Sequence, residues 1–285
     1  MKFHRYTDTE PFRGAVLELL LENEVQNNLM ISVINGAGTS QGAGWLLATV
    51  AGSGGETALT ALCVKPFVIM LYETGNIRND DALELLAREI RLAGCNPPGV
   101  MAEPGLARRF ADVFSAGGVY KPHMSMIAMR LDALKEYKKA PGFPRLLDAK
   151  DMSFAPYWER AFSEDCRAQA FSISENAERL KNRLGRGTHY IWEDGVPVSQ
   201  AVYGRETPNG AIINGVYTPP YYRGHGYAKS VVAALSASLL GRAKAFCCLL
   251  ADANNPISCP MYRNLGYYDV CALEDIRFDT KRQRA

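Results

Sequence analysis

The sequence predicts an α/β (α+β) protein of two similar halves, each a mixed, mostly antiparallel sheet flanked by helices. Three observations carry that expectation. A basic stretch that turns into proline and glycine, Lys138-Lys139-Ala140-Pro141-Gly142-Phe143-Pro144, punctuates the middle of the chain. On each side of it, helices are followed by paired apolar runs and then by strand, turn and helix in the same order. In the second half one of those turns, at residues 216–229, has the composition of an anion cradle. At 285 residues the chain suits about two domains, here 1–137 and 144–285.

Taken in order, Phe12 to Ile34 reads as helical, with apolar positions at Val16, Leu19, Leu20 and Leu29. Strand-like runs follow at Gly44 to Ala51 and Thr57 to Val64, separated by Gly52-Ser53-Gly54-Gly55. A short strand (Phe67 to Leu71) and a helix (Asp80 to Ala93) come next. After the segment Gly99 to Pro104, a further helix reaches Phe114 and ends at Gly117-Gly118. Past the linker, a strand at Arg145 to Leu147 precedes helices around Tyr157 to Phe162 and Ser174 to Leu184. Two strands, Thr188 to Glu193 and Val196 to Gly204, are joined by Asp194-Gly195, a strong hairpin signal. The halves read as diverged copies: Met101-Ala102-Glu103-Pro104 and 110–118 parallel Leu250-Ala251-Asp252 and 262–266. Their turns differ. Glu73-Thr74-Gly75-Asn76-Ile77-Arg78-Asn79, which enters the Asp80 helix, has one glycine and no phosphate-binding pattern.

The corresponding turn of the second half is far more informative. An apolar run from Ala211 closes with Val216, Tyr217 and Thr218, and Pro219-Pro220 stops further pairing because neither residue has a backbone N–H. Arg223-Gly224-His225-Gly226-Tyr227-Ala228 then leads into Lys229-Ser230 and an apolar helix. Glycines let a backbone approach closely, successive N–H groups point at an anion, and the helix dipole adds favourable potential. A nucleotide P-loop is excluded because Lys229-Ser230 follows Ala228 rather than glycine. A dinucleotide fingerprint is excluded because Lys229 stands where its third glycine belongs. The pattern that fits is Arg-x-x-Gly-x-Ala, filled by Arg223, Gly226 and Ala228.

Downstream, an apolar strand from Phe246 to Ala251 precedes Asn254-Asn255-Pro256-Ile257-Ser258-Cys259-Pro260-Met261-Tyr262-Arg263-Asn264-Leu265-Gly266-Tyr267. Asn254 or Asn255 caps a short helix with Pro256 in its first turn, and Gly266 ends it. Together the two segments resemble the signature of the GCN5-related N-acetyltransferases (GNAT). The second supplies that family's Asn-x-x-Ala/Ser-x-x-x-Tyr-x-x-x-Gly-Phe/Tyr pattern through Asn255, Ser258, Tyr262, Gly266 and Tyr267. The likeness covers residues 144–279, and the first half is similar to the degenerate copy of bacterial two-domain members. A tandem GNAT-like fold is what this implies.

The same resemblance implies an acyltransferase that moves an acetyl group from acetyl-CoA to a primary amine in a ternary complex. The pyrophosphate would lie on Arg223, Gly224, His225, Gly226, Tyr227, Ala228 and Lys229, with His225 supplying only its backbone N–H. The pantetheine would follow Val216, Tyr217 and Thr218, an N–H near Val216 would polarise the thioester, and Asn255 and Ser258 would flank the arm, the serine because it is small. Tyr262, which by itself reads as a packing residue, becomes the general acid for the departing thiolate; a phenol with a pKa near 10 suits the task. The general base is open. Ala211, Ile212, Ile213 and Asn214 offer no carboxylate, which leaves a water chain, Glu159, Asp165 or a residue of the first half. The alternative function is a regulatory module that senses acetyl-CoA without turning it over.

Composition limits the remainder. A formal charge of +2, with only Lys281-Arg282-Gln283-Arg284 locally cationic, argues against a nucleic-acid partner. The seven cysteines form no CxxC pair and read as reduced core residues, and the four histidines lack metal spacing, so no metal is expected. Neither a signal-like start nor a run of about 18 apolar residues is visible. The expected protein is cytoplasmic, away from membranes, a monomer or homodimer, with a small-molecule or peptide amine as its partner.

Overall fold

A computed structural model describes residues 1–36, 44–75, 78–115, 118–242 and 244–279. The basic tail at 281–284 and Gly117 lie outside them, as do Asn76 and Ile77 of the first half's turn. Backbone contacts separate two compact units: Met1–Ala128 with the segment from Val270 on, and Met129–Asp269.

The first unit contains β1 (Lys2–Tyr6), α1 (Thr9–Leu21), α2 (Asn28–Gly36), β2 (Leu46–Ala51), β3 (Thr57–Cys63) and β4 (Ile69–Glu73). It continues with α3 (Asp80–Leu92), β5 (Gly99–Ala102), α4 (Pro104–Ser115) and most of β6 (Tyr120–Leu131), and it takes nearly all of the last strand, β12 (Tyr268–Phe278). Its strands lie in the order β1-β2-β3-β4-β5-β12, with β6 beyond β12. The β4–β5 pair is parallel, while β1–β2, β2–β3, β3–β4 and β5–β12 are antiparallel. β12 is fixed here by three kinds of contact. It pairs with β5 from Glu274↔Ala102 to Arg277↔Gly99, Glu274 binds Arg108 of α4 at 2.8 Å, and Phe278 packs on Phe110 and Phe114. Alternation along the strands sends Leu59, Ala61 and Leu71 to the face covered by α3 and α4, and Leu47, Leu62 and Met70 to the face covered by α1 and α2.

One sequence expectation is refined here. Phe12 to Ile34 is two helices, α1 and α2, because asparagine side chains between them take up backbone groups that a helix would use. Asn27 Nδ2 donates to the Leu20 carbonyl at 3.1 Å and Asn28 Nδ2 to that of Val25 at 2.6 Å. β1 and β6 are additions that the sequence reading missed.

The second unit contains β7 (Phe143–Leu146), α5 (Ala155–Asp165), α6 (Ile173–Lys181), β8 (His189–Asp194), β9 (Val196–Glu206), β10 (Gly210–Tyr217), α7 (Tyr227–Leu240), β11 (Phe246–Asp252) and α8 (Ser258–Leu265). Its strands lie in the order β7-β8-β9-β10-β11, antiparallel except for β10–β11. The Asp194-Gly195 hairpin is present, with Gly195 at φ +70°. Leu147, Ala155, Leu180 and Ile191 pack α5 and α6 on one face. On the other, Tyr190 donates to Ser238 of α7 at 2.9 Å. The linker is pinned to this unit: Ala140 N donates to Ser230 Oγ at 2.8 Å, and Trp192 Nε1 donates to the Pro141 carbonyl at 2.7 Å. No helix among the described residues is long and apolar enough to cross a membrane.

Candidate active site

The centre of the second unit is a strand that leaves its neighbour. β10 pairs in parallel with β11 only through Gly210↔Phe246, Ala211↔Cys247 and Ile212↔Cys248. On its other side the register with β9 shifts twice, between Ile212 and Ile213 and between Asn214 and Tyr217. Gly215, at φ +59°, makes the second irregularity, and a Cβ there would stand 2.9 Å from Val202 Cγ2. A bulge bends and twists the strand that carries it. Among the described residues the β11-facing edge of 213–217 has no ladder partner, so its backbone groups are open to an extended ligand.

The turn after this strand leads into a helix N-terminus that no side chain caps. Gly224 and Gly226 lie at φ +84° and +82°, and space around the first is open. Gly226 is the N-cap of α7, so no side chain caps the helix, and no acidic residue sits in its first turn. The leading N–H groups are therefore unopposed, the condition in which a helix N-terminus binds phosphate. His225 Nδ1 turns back to the Arg223 carbonyl at 2.9 Å, and its ring stacks on Tyr227. Tyr227 is itself buried and donates to Asp194 at 2.5 Å. Its side chain therefore anchors the turn. Arg223 is exposed and pairs with Asp165 at 2.7 Å while donating to the Thr218 carbonyl at 2.9 Å. Thr218 lies one residue beyond β10, its hydroxyl 2.8 Å from Ser199 Oγ. Ala228 and Lys229 form the first turn of α7.

α8 starts later than the sequence reading placed it. The helix begins at Ser258, and Pro256 lies ahead of it. Asn255 is nonetheless the residue that shapes the entry: its Oδ1 accepts from Ile257 N at 2.9 Å and from Ser258 N at 3.0 Å. That is an Asx turn, which starts the helix from outside rather than capping it from within. Gly266 ends α8 at φ +108°, where a Cβ would come within 2.8 Å of the Ala133 carbonyl. Tyr262 is buried at 7 % exposure, edge-on to Tyr267. Its hydroxyl has no hydrogen-bond partner among the described residues, yet it is not one of the core's sealed, partnerless atoms. Burial raises its pKa well above the ordinary phenol value, so the group holds its proton throughout the neutral range.

Behind the bulge is a polar layer that the sequence reading did not assemble. Gln200 of β9 donates to the Gly215 carbonyl at 3.3 Å and to Glu159 Oε1 of α5 at 3.2 Å. Its own Oε1 is 3.2 Å from His189 Nε2. Because the amide nitrogen is committed as donor, the imidazole carries its proton on Nε2 and leaves Nδ1 bare and buried. Burial pulls His189 down to about 4, so the ring is neutral. Arg183 Nη1 lies 3.2 Å from Glu159 Oε2. One signal was available: a glycine inside an apolar strand, Gly215, marks a bulge or a close approach. Glu159, Arg183, His189 and Gln200 come from four separate segments without a shared motif.

Known proteins supply an independent line. Residues 194–274 match the model of the FR47-like protein family. Among solved structures, a GCN5-related N-acetyltransferase from Sphaerobacter thermophilus matches with a TM-score of 0.68 at 14% identity, over 96% of this chain and 95% of that one. A GNAT-family acetyltransferase from Colwellia psychrerythraea gives 0.60 at 9%, over 98% and 100%. A tandem GNAT protein from the clavulanic acid biosynthesis pathway gives 0.51 at 13%, over 96% and 97%. No curated protein sequence matches the chain.

Proposed function

We propose, from the GCN5-related N-acetyltransferase fold of the chain and the FR47-like segment within it, that it transfers an acetyl group from acetyl-CoA to a primary amine by direct attack in a ternary complex. The half after the linker, 144–285, would be catalytic, and 1–137 would be a degenerate copy without a phosphate loop. The observation that carries this reading is the pairing of an unpartnered β10 edge with an uncapped, glycine-led N-terminus of α7.

The residues present suit the co-substrate. N–H groups of residues 224–229 would hold the pyrophosphate, Arg223 would exchange Asp165 for a phosphate oxygen, and Lys229 adds a cation in the first helical turn. The free edge at Val216 and Tyr217 would hydrogen-bond the pantetheine amides. Bound acetyl-CoA would supply an activated acyl group, and an N–H near Val216 would polarise its carbonyl as charge develops on the oxygen. Tyr262 donates its proton to the departing sulfur. A phenol whose pKa burial has raised is a weaker acid in the ground state, but it also retains the proton until thiolate forms.

Free thiol release from acetyl-CoA, followed with a panel of amino acids, polyamines, aminoglycosides and peptide N-termini, tests the reading. Turnover with at least one amine is the expected result. Tight acetyl-CoA binding with no turnover across the panel would favour the sensor, whose one supporting observation is the lack of a carboxylate on β10.

A further inference from the structure

We infer that Glu159 is the group that accepts the proton of the incoming ammonium, through its Oε2 atom. The inference rests on the acetyl-transfer reading and fills the position that β10 leaves without a carboxylate. Of the open alternatives, Asp165 is bound to Arg223 at the phosphate turn, 2.7 Å away. Glu159 is held elsewhere, at the bulge: a Cβ placed on Gly215 would lie 3.9 Å from its Oε1.

Three features make this carboxylate more than a structural ion pair. Its side chain is only 17 % exposed, so its charge acts in a poorly screened environment. Its two oxygens are in different states. Oε1 accepts from Gln200, which fixes the plane of the group relative to the bulge. Oε2 faces Arg183 Nη1 at 3.2 Å, but in a geometry that makes no hydrogen bond, since that nitrogen is buried and unpartnered. The guanidinium thus contributes charge without occupying the lone pairs of Oε2. Finally, Glu159 is joined through Gln200 to the bulge itself, because the same amide nitrogen donates to the Gly215 carbonyl at 3.3 Å.

The proton balance is simple. A primary ammonium gives one proton to Glu159 Oε2 and becomes nucleophilic, and its lone pair forms the C–N bond. The C–S bond breaks, and the sulfur takes the Tyr262 proton. The second proton lost by the nitrogen restores the phenol, and the one on Glu159 passes to solvent. The charged and titratable groups facing Glu159 are Arg183, from the segment after α6, and His189, from β8. The second is neutral above about pH 4.

The test is Glu159→Gln, with acetyl-CoA and the best amine of the panel, across pH 6–10. At pH 7 kcat/KM should fall about 10²-fold. The deficit should shrink toward pH 10 as the amine loses its proton unaided, and acetyl-CoA affinity by calorimetry should stay within about twofold. Glu159→Asp, which keeps the charge but retracts it, should retain the wild-type pH profile at a lower plateau. The inference is overturned if the Gln variant follows the wild-type profile, or if Gln and Asp variants both lose activity by a pH-independent factor. Silence of the wild type on every amine would instead remove the acetyl-transfer reading, and this inference with it.

Discussion

β10–α7 and β4–α3 share one strand-turn-helix order, and they finish as opposites. Each strand pairs in parallel with its neighbour over a short stretch, three residues in β10 and two in β4. β10 then bulges twice against β9, whereas β4 runs in unbroken register with β3 from Leu59↔Glu73 to Leu62↔Met70. The helix starts diverge further. α7 opens on Gly226 without a side-chain cap, while α3 is capped by Asn79, whose Oδ1 accepts from Ala82 N at 3.0 Å. Asp80 and Asp81 fill its first turn. Glu73 accepts from Asn79 N at 2.8 Å, and Arg109 reaches both Glu73 and Asp80. The first unit has satisfied its helix N-terminus with its own carboxylates, the anions that a dipole and unpaired N–H groups attract. A helix N-terminus here is thus closed to an outside anion by the chain's own carboxylates.

The sharpest way to break this comparison is a matched pair of substitutions. Gly226→Val and Gly75→Val both place a β-branched residue at positive φ, +82° and +73°, so both carry backbone strain. Only the first intrudes on the proposed pyrophosphate. Loss of two charge-assisted bonds at about 1.5–3 kcal/mol each should weaken coenzyme A binding by about 10²–10⁴-fold, with Gly75→Val unchanged. Calorimetry should also give one site per chain. Two sites, or equal effects of the two valines, would abolish the asymmetry.

A second pair concerns the buried tyrosines. Tyr262→Phe preserves ring packing and removes a donor that matters only as thiolate forms, so kcat should fall by about 10²–10⁴-fold with little change in KM. Tyr72→Phe deletes the hydroxyl bound to Asn23 and should cost about 1 kcal/mol of stability with no effect on rate. A Tyr262→Phe enzyme within about twofold of wild type would return Tyr262 to a packing role.

Residues that act through local chemistry were legible in the sequence, and those that act through tertiary placement were not. Gly224, Gly226 and Gly266 announce themselves because positive φ restricts what can stand there, and Asn255 because an Asx turn is local. The Glu159–Gln200–His189 layer had only Gly215, inside an apolar strand, as a signal. Its members look like an ordinary helix carboxylate, a strand amide and a strand histidine until the bulge at Gly215 brings them together. The break between α1 and α2 lay in between: asparagines at 23, 27 and 28 are poor helix formers, but the apolar spacing around them outweighed that evidence.

The polar layer also sets a pH dependence that belongs to the second unit. His189, held near 4 by burial, resists protonation in the fold, whereas its unfolded value is about 6.5. The unfolded state therefore gains protons first. Stability should be complete above pH 6.5 and should decline as pH falls toward 4, by at most about 3 kcal/mol. Urea unfolding of the wild type and His189→Gln between pH 7 and 4 should show a shallower decline in the variant; equal slopes would mean that other groups dominate.

The smallest effect is expected from reopening the first unit. Glu73→Ala removes the acceptor of Asn79 N and one partner of Arg109, whose side chain is only 16 % exposed. Asp80 remains to hold the guanidinium at 2.8 Å, so the cost should stay near the lower end of about 1–3 kcal/mol for a buried donor left unsatisfied. The exposed α3 N-terminus should still not bind coenzyme A, because β4 has no bulge to free an edge and the turn lacks the second glycine. The stoichiometry should therefore remain one. A second binding site in Glu73→Ala would show that the carboxylate alone had closed the first unit. In that case strand geometry would be secondary to electrostatics in deciding which half of the chain binds the co-substrate.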